Sequence, residues 1–353
     1  MFLKVSYHRP HSPYDPPQRI LDERIADNAV PERIINYTAW DRNYLNTSEM
    51  PDNAWFGDPG AQAARLSRAA YLGSCQFVDE GVGELFAWLK DHNNLFNDSL
   101  IIWTTDHGDM NGDHNLWRKG YAYEGSAHVN LIVKMPVIPE VESIGDDVSG
   151  GVVDSRQLKA RASQQQPTTS DAIVETRDIA PTIYDYLGIL DDVLQIDPMM
   201  DGRSLLPIVR QEQSYIRTWL DLELSTTYRA DNHWNAIVGR QECLKRGGAV
   251  TNTAQTECEL WKYIFHVQYG HEQLFCLTTD RNEHFDLANT TAYIPVVEFW
   301  RQTLVDLFEQ QERGDEWVKD GALMAGRPAV TFATNYPCAY FDAVENATFI
   351  SSL

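Results

Sequence analysis

The feature that most constrains this chain is the run Ser99 to Thr105 (SLIIWTT), continuously apolar and β-rich, which stops abruptly at Asp106-His107-Gly108. A strand without polar alternation must be covered on both faces, as a central strand of an α/β sheet is. The polar, glycine-containing stretch that follows, DHGDMNGDHNLWRKG, then falls at the carboxyl end of a strand, where open α/β sheets place ligands. Val129 to Met135 (VNLIVKM) reads as a further strand, and Phe2 to Tyr7 as a short buried one. Leu66, Ala70, Phe77, Val82, Leu85 and Leu89 recur at helical spacing and predict a helix from Gln62 to Asn93.

The four prolines of HRPHSPYDPP fix a stiff, extended loop after the first strand. Residues 20–60 are polar and read as irregular, and residues 140–175 as a polar insertion. Asp178 to Leu187 predicts a capped amphipathic helix. Beyond residue 210 the pattern changes to short strands (218–224, 234–239, 260–267, 272–277) and one long helix near 293–312. The expected organisation is therefore an α/β domain over 1–210, a mixed sheet flanked by helices, followed by a smaller α+β subdomain over 211–353.

A net charge of −22 leaves no basic stripe for nucleic acid or an anionic membrane, so an anionic substrate needs local cations. No segment is long and apolar enough to span a membrane, and MFLKVSYHRPH does not have the apolar core of a signal peptide. Cys75, Cys243, Cys258, Cys276 and Cys338 show no metal-finger spacing; Cys243 and Cys258 could pair across a short loop, or all could be free thiols. Sequons at Asn36, Asn46, Asn97, Asn289 and Asn346 hint at a secretory history.

Asp106 and His107 place a carboxylate and an imidazole on one backbone turn, from which both can reach one cation. A turn Asp beside a surface His gives the same three letters. Lys119 lies among Trp117, Tyr121 and Tyr123, a poorly solvated setting suited to one oxygen of a sulfate or phosphate. A surface lysine lying along its own stem is the plainer reading. His11, in the proline loop, could donate to an oxyanion or protonate a leaving oxygen, or be an ordinary loop histidine.

Taken in order, H-x-P-H-x-P-Y, D-H-G after a strand and K-G-x-x-Y-E-G resemble the sulfatases of the alkaline-phosphatase superfamily, arylsulfatase and iduronate-sulfatase types included. Arg68 to Leu85, TRDIAPTIYDYLGI at 176–189, DGRSLLP at 201–207 and Tyr263 to Ala288 resemble further segments of that family in register. The resemblance implies an alkaline-phosphatase-like fold and hydrolysis of a sulfate ester, small or carried on a sulfated glycan. It implies Asp106 and His107 as ligands of Ca²⁺ (or Mg²⁺), and His11 and Lys119 as catalytic residues. His8, His114 and Tyr123 become substrate-binding candidates; Asp79 is expected to brace its helix. Family members are usually secreted, periplasmic or lysosomal.

One expected element is missing. The family's nucleophile is a formylglycine made from Cys or Ser within C/S-x-P-x-R, and no Cys or Ser of this sequence stands in that context. The family's early Asp-Asp metal pair has no counterpart either. The expectation is a match to the C-terminal part of a sulfatase: a truncated or split enzyme, or a fold kept without catalysis. Its partner would be a complementary N-terminal fragment or a second copy. A phosphodiesterase or phosphonate monoester hydrolase of the same superfamily, or a non-catalytic binder of sulfated ligands, are the rival readings.

Overall fold

The structure is a computed structural model that describes residues 2–27, 29–34, 57–137, 167–224, 233–246 and 258–327. The sequons at Asn36, Asn46 and Asn346, Cys338 and most of the 140–175 insertion lie outside these residues.

The expected first strand does not form: residues 2–7 lie outside any helix or strand and are exposed. The reason is the absence of a neighbour, since no strand among the described residues pairs with them. Helix α1 (Gln18–Ala26) occupies part of the span read as irregular; it starts behind Pro16-Pro17 and buries only Ile20. Helix α2 (Ala61–Asp91) matches the predicted helix, but its predicted face only in part: Ala70 is buried and Val82, Leu85 and Leu89 are partly buried. Its buried stripe is Ala64, Ala69, Ala70, Gly73, Ser74 and Val78, while Leu66 and Phe77 are exposed. Small residues are needed there because α1 packs closely: a Cβ on Gly73 would stand 2.9 Å from the Pro16 ring.

Strand β1 (Ile101–Thr104) pairs with β2 (Leu131–Lys134), with helix α3 (Glu124–Ala127) between them in sequence. The pair is antiparallel and its residues are only partly buried, so β1 is one side of a two-stranded ribbon rather than a parallel strand covered on both faces. The helix predicted at 178–187 forms as α4 (Ile179–Tyr186) behind a 3-10 turn. Asp178 accepts two hydrogen bonds from the Arg217 guanidinium at 2.5 and 2.6 Å. It also takes the backbone N–H groups of Glu175 and Arg203, and so ties TRDIAPT to DGRSLLP.

The predicted strands after residue 210 form a four-stranded antiparallel sheet, order β3 (Trp219–Leu224), β4 (Trp234–Arg240), β5 (Leu260–His266), β6 (His271–Cys276). Helix α5 (Ile294–Gln310) covers one face, packing Val296, Trp300, Leu304 and Phe308 on Trp261, Tyr263 and Phe265 of β5. Gly239 is required beneath Trp300, whose ring occupies the space a Cβ would take. The opposite face buries Trp234, Ala236, Ile264 and Phe275 against Met110, Leu116, Tyr121 and Tyr123 of the loop after β1. Strand β5 therefore alternates between two dry layers. Cys258 bonds Cys276, with Cα atoms 5.7 Å apart, so neither a Cys243–Cys258 pair nor a full set of free thiols holds; Cys75 and Cys243 are free thiols.

Candidate functional site

Three chain segments meet beside the end of β1. The proline loop brings His8 and His11, whose ring centroids are 5.1 Å apart. The turn after β1 brings His107, edge-on to His11 at 6.3 Å. The loop ahead of α3 brings Lys119, whose Nζ lies 2.5 Å from His11 Nε2. Four of the residues singled out in the sequence thus converge, with Asp106 adjacent to His107.

Hydrogen-bond partners fix the protons. The Ser12 carbonyl, 2.7 Å from His11 Nδ1, can only accept, so Nδ1 carries the hydrogen and Nε2 offers its lone pair to the Lys119 ammonium. Burial and the neighbouring Arg118 hold Lys119 below the ordinary lysine range, with Asp109 and Asp106 partly offsetting them. An ammonium shared with a neutral imidazole can bind an anion and can also hand it a proton.

His107 follows the same logic. Its Nδ1 lies 2.8 Å from the Gly108 carbonyl, so Nε2 presents a lone pair 3.5 Å from Asp106 Oδ2. Two acceptors facing each other over that gap call for a proton or a cation between them, and the Nδ1–carbonyl bond is the usual outer support of a metal-bound imidazole. Asp106 is open to solvent, with 83% of its side chain exposed. These two donors fit part of a divalent cation's shell. Among the described residues no group of three or more His, Cys, Asp and Glu gathers to complete it.

The loops are held by residues outside the expected set. Tyr14, in the proline loop, donates to Asp109 Oδ2 at 2.6 Å, and Asp109 Oδ1 takes the N–H groups of Asn111 and Arg118. Burial, then the Asp109 charge, push the Tyr14 phenol up, so it remains a donor. Gly108 must be glycine: its N–H reaches the Ser126 carbonyl at 2.8 Å, and a Cβ would run into the Gly125 carbonyl. Arg68 on α2 closes the loop through Asp113 at 2.9 Å.

His114 and Tyr123 lie elsewhere. They stack on each other at 5.0 Å in the core between loop and sheet. His114 Nε2 contacts the Asn282 carbonyl, and the Tyr123 hydroxyl donates to Gln273 on β6. Asp79 is exposed on α2.

A protein-family model, Sulfatase, matches residues 1–189. The chain is 28% identical over 330 residues to an arylsulfatase of Clostridium perfringens, covering 94% of this chain and 57% of that protein. It is 27% identical to the multifunctional alkaline phosphatase superfamily protein PehA of Trinickia caryophylli, covering 85% and 54%. A putative sulfatase of Bacteroides fragilis shares the fold, with a TM-score of 0.56 at 18% identity, over 87% of this chain and 53% of that one. The chain spans about half the length of the curated relatives it matches.

Proposed function

The chain belongs to the sulfatase family of the alkaline phosphatase superfamily, and on that premise we propose that it carries the sulfate-binding, leaving-group side of a sulfuric ester hydrolase site. The observation that carries the reading is the 2.5 Å contact between Lys119 Nζ and His11 Nε2. In this reading Lys119 holds a sulfate oxygen, and the neutral His11 receives the ammonium's proton or passes it to the departing ester oxygen. Asp106 and His107 bind Ca²⁺ or Mg²⁺, which when bound would polarise the ester; His8 stands at the entrance. Calcium prefers six to eight oxygen ligands, so two donors hold it weakly.

Covalent turnover needs a nucleophile, and these 353 residues contain no C/S-x-P-x-R sequence. The polypeptide alone is expected to release no nitrophenol from nitrophenyl sulfate and to gain no melting temperature from millimolar calcium. Supplying the additional segment of a longer relative as a separate polypeptide should restore both, and Lys119→Ala should abolish the restored turnover. That substitution should cost under about 1 kcal/mol of stability, since a partly buried lysine at the loop surface makes few core contacts. Metal-dependent turnover by the chain alone, or restored turnover indifferent to Lys119→Ala, would overturn the reading. The alternative, a phosphodiester or phosphonate monoester substrate, is decided by the same assay with nitrophenyl phosphodiesters and phosphonate esters; similarity to a protein named as a multifunctional member of the alkaline phosphatase superfamily keeps it in view. A complemented protein that binds sulfated glycans without hydrolysing either ester would be a non-catalytic binder.

A further inference from the structure

Lys262 sits mid-strand on β5, and its side chain is only 1% exposed. Neighbours Trp261 and Tyr263 turn to α5, so Lys262 points the other way, toward the loop that carries Lys119. There its ammonium donates to Glu124 Oε1 at 2.6 Å and to Glu283 Oε1 at 2.8 Å. The other Glu283 oxygen takes the backbone N–H of Glu124 at 2.7 Å. The second Glu124 oxygen meets His128 Nδ1 at 2.8 Å. All four carboxylate oxygens act as acceptors; burial raises the Glu283 carboxyl, and the Lys262 ammonium opposes that rise. Burial would raise the Glu124 carboxyl, but Lys262 and His128 hold it at about 2, and the two carboxylates keep Lys262 charged against the same burial.

A buried ion triad adds little stability over an apolar replacement, because desolvation cancels most of the attraction. What it adds is geometry: the ammonium is satisfied only when Glu124 and Glu283 are both in place. The same loop is gripped at two further points. Trp234 Nε1 donates to the Gly120 carbonyl at 3.0 Å, and Ser126 Oγ takes the N–H groups of Gly120 and Tyr121. The grip begins at the residue directly after Lys119.

We infer that Lys262 is a positioning residue, which acts through Glu124 and the clamped 120–124 backbone to hold Lys119 against His11. The inference rests on the role proposed for Lys119, but its contact with His11 is measurable without turnover. The triple variant Lys262→Met, Glu124→Gln, Glu283→Gln removes the charges together and leaves no carboxylate stranded. Its far-ultraviolet spectrum and melting should stay close to the parent's. In ¹⁵N spectra, with His11 assigned through His11→Gln, the His11 Nε2 resonance should move toward that of an unpartnered imidazole. Where complemented turnover exists, kcat should fall roughly tenfold with KM little changed, as for a misplaced proton donor. A folded triple variant with an unshifted His11 signal overturns the inference and leaves the triad as packing alone. Should the triple variant not fold, replacing Trp234 with 3-benzothienylalanine decides: it keeps a bicyclic ring of the same shape and deletes the N–H that bonds Gly120, and the His11 signal must move in the same direction. Turnover failure with an intact His11 shift would count against the proposed reaction, not against this coupling.

Discussion

Asp178→Ala is expected to cost about 3 kcal/mol, because it removes both carboxylate bonds to the buried Arg217 and leaves Glu175, 3.3 Å away, as its remaining counter-ion. The side chains of Asp178 and Arg217 are 0% and 6% exposed, and water cannot replace the lost partner. The damage is wider than one pair, because Asp178 also holds the N–H groups of Glu175 and Arg203. Thr182, bonded to the Asp178 carbonyl, in turn receives Leu205 N–H. Arg177→Ala, one position earlier, is the control. Its contacts with Glu175 and Asp201 are partly exposed, and such pairs contribute at most about 1 kcal/mol. Urea unfolding followed by tryptophan fluorescence measures both. A loss below about 1 kcal/mol for Asp178→Ala would mean that the 176–207 segment is held by its apolar contacts alone.

Mild acid should weaken the sheet well above the carboxylate range. Burial lowers His266 to about 4, helped by His271 and opposed by the bond to Gln273. Burial and the adjacent Arg327 lower His233 to about 4 as well. Both folded values lie below the unfolded one near 6.5, so the unfolded state binds the extra protons between those limits. Stability is therefore complete above about pH 6.5 and falls as pH drops toward 4. Each group contributes roughly 3 kcal/mol over that interval, at 1.36 kcal/mol per pH unit. Glu124, held at about 2, adds its own loss only below about pH 4.5. The urea midpoint should drop clearly between pH 7 and pH 4.5, and His266→Gln should remove about half of the drop. A midpoint that does not change over this range would show that both histidines open to water before they titrate.

Periodicity made the C-terminal sheet and α5 legible, because each strand is short, apolar and bounded by turn residues. It misled at the amino end. Phe2 to Tyr7 is as apolar as β5, but a strand is a pairing, and pairing partners are not written in the segment itself. Helix α1 is not legible in the sequence because one buried residue, Ile20, gives no periodic face. On α2 the large apolar residues suggested the core, whereas close approach of α1 selected Ala and Gly instead. Of the site, the residues with chemistry in their side chains were visible as motifs. Their supports were not: Tyr14, Asp109 and Ser126 look like ordinary loop residues until the loops are brought together. Lys262 did leave a trace, as a lone charge inside the apolar run LWKYIF. In a strand buried on both faces, a lysine has to find its counter-ions in the adjoining layer.

The alternation of β5 also governs how the chain can assemble wrongly. A slip of one residue against β4 or β6 would turn every side chain of β5 to the opposite layer. Apolar residues would tolerate that exchange, since both layers are dry. Lys262 would not: it would be turned among Trp300 and Leu304, away from Glu124 and Glu283, while Tyr263 would leave Glu272 and be set against those two carboxylates. A two-sided apolar strand carries almost no information about its own register, and here the Lys262 ammonium supplies much of it, beside the bonds of Tyr263 to Glu272 and of His266 to Gln273. The charge that brings little stability to the finished protein makes the neighbouring misfolded arrangement expensive.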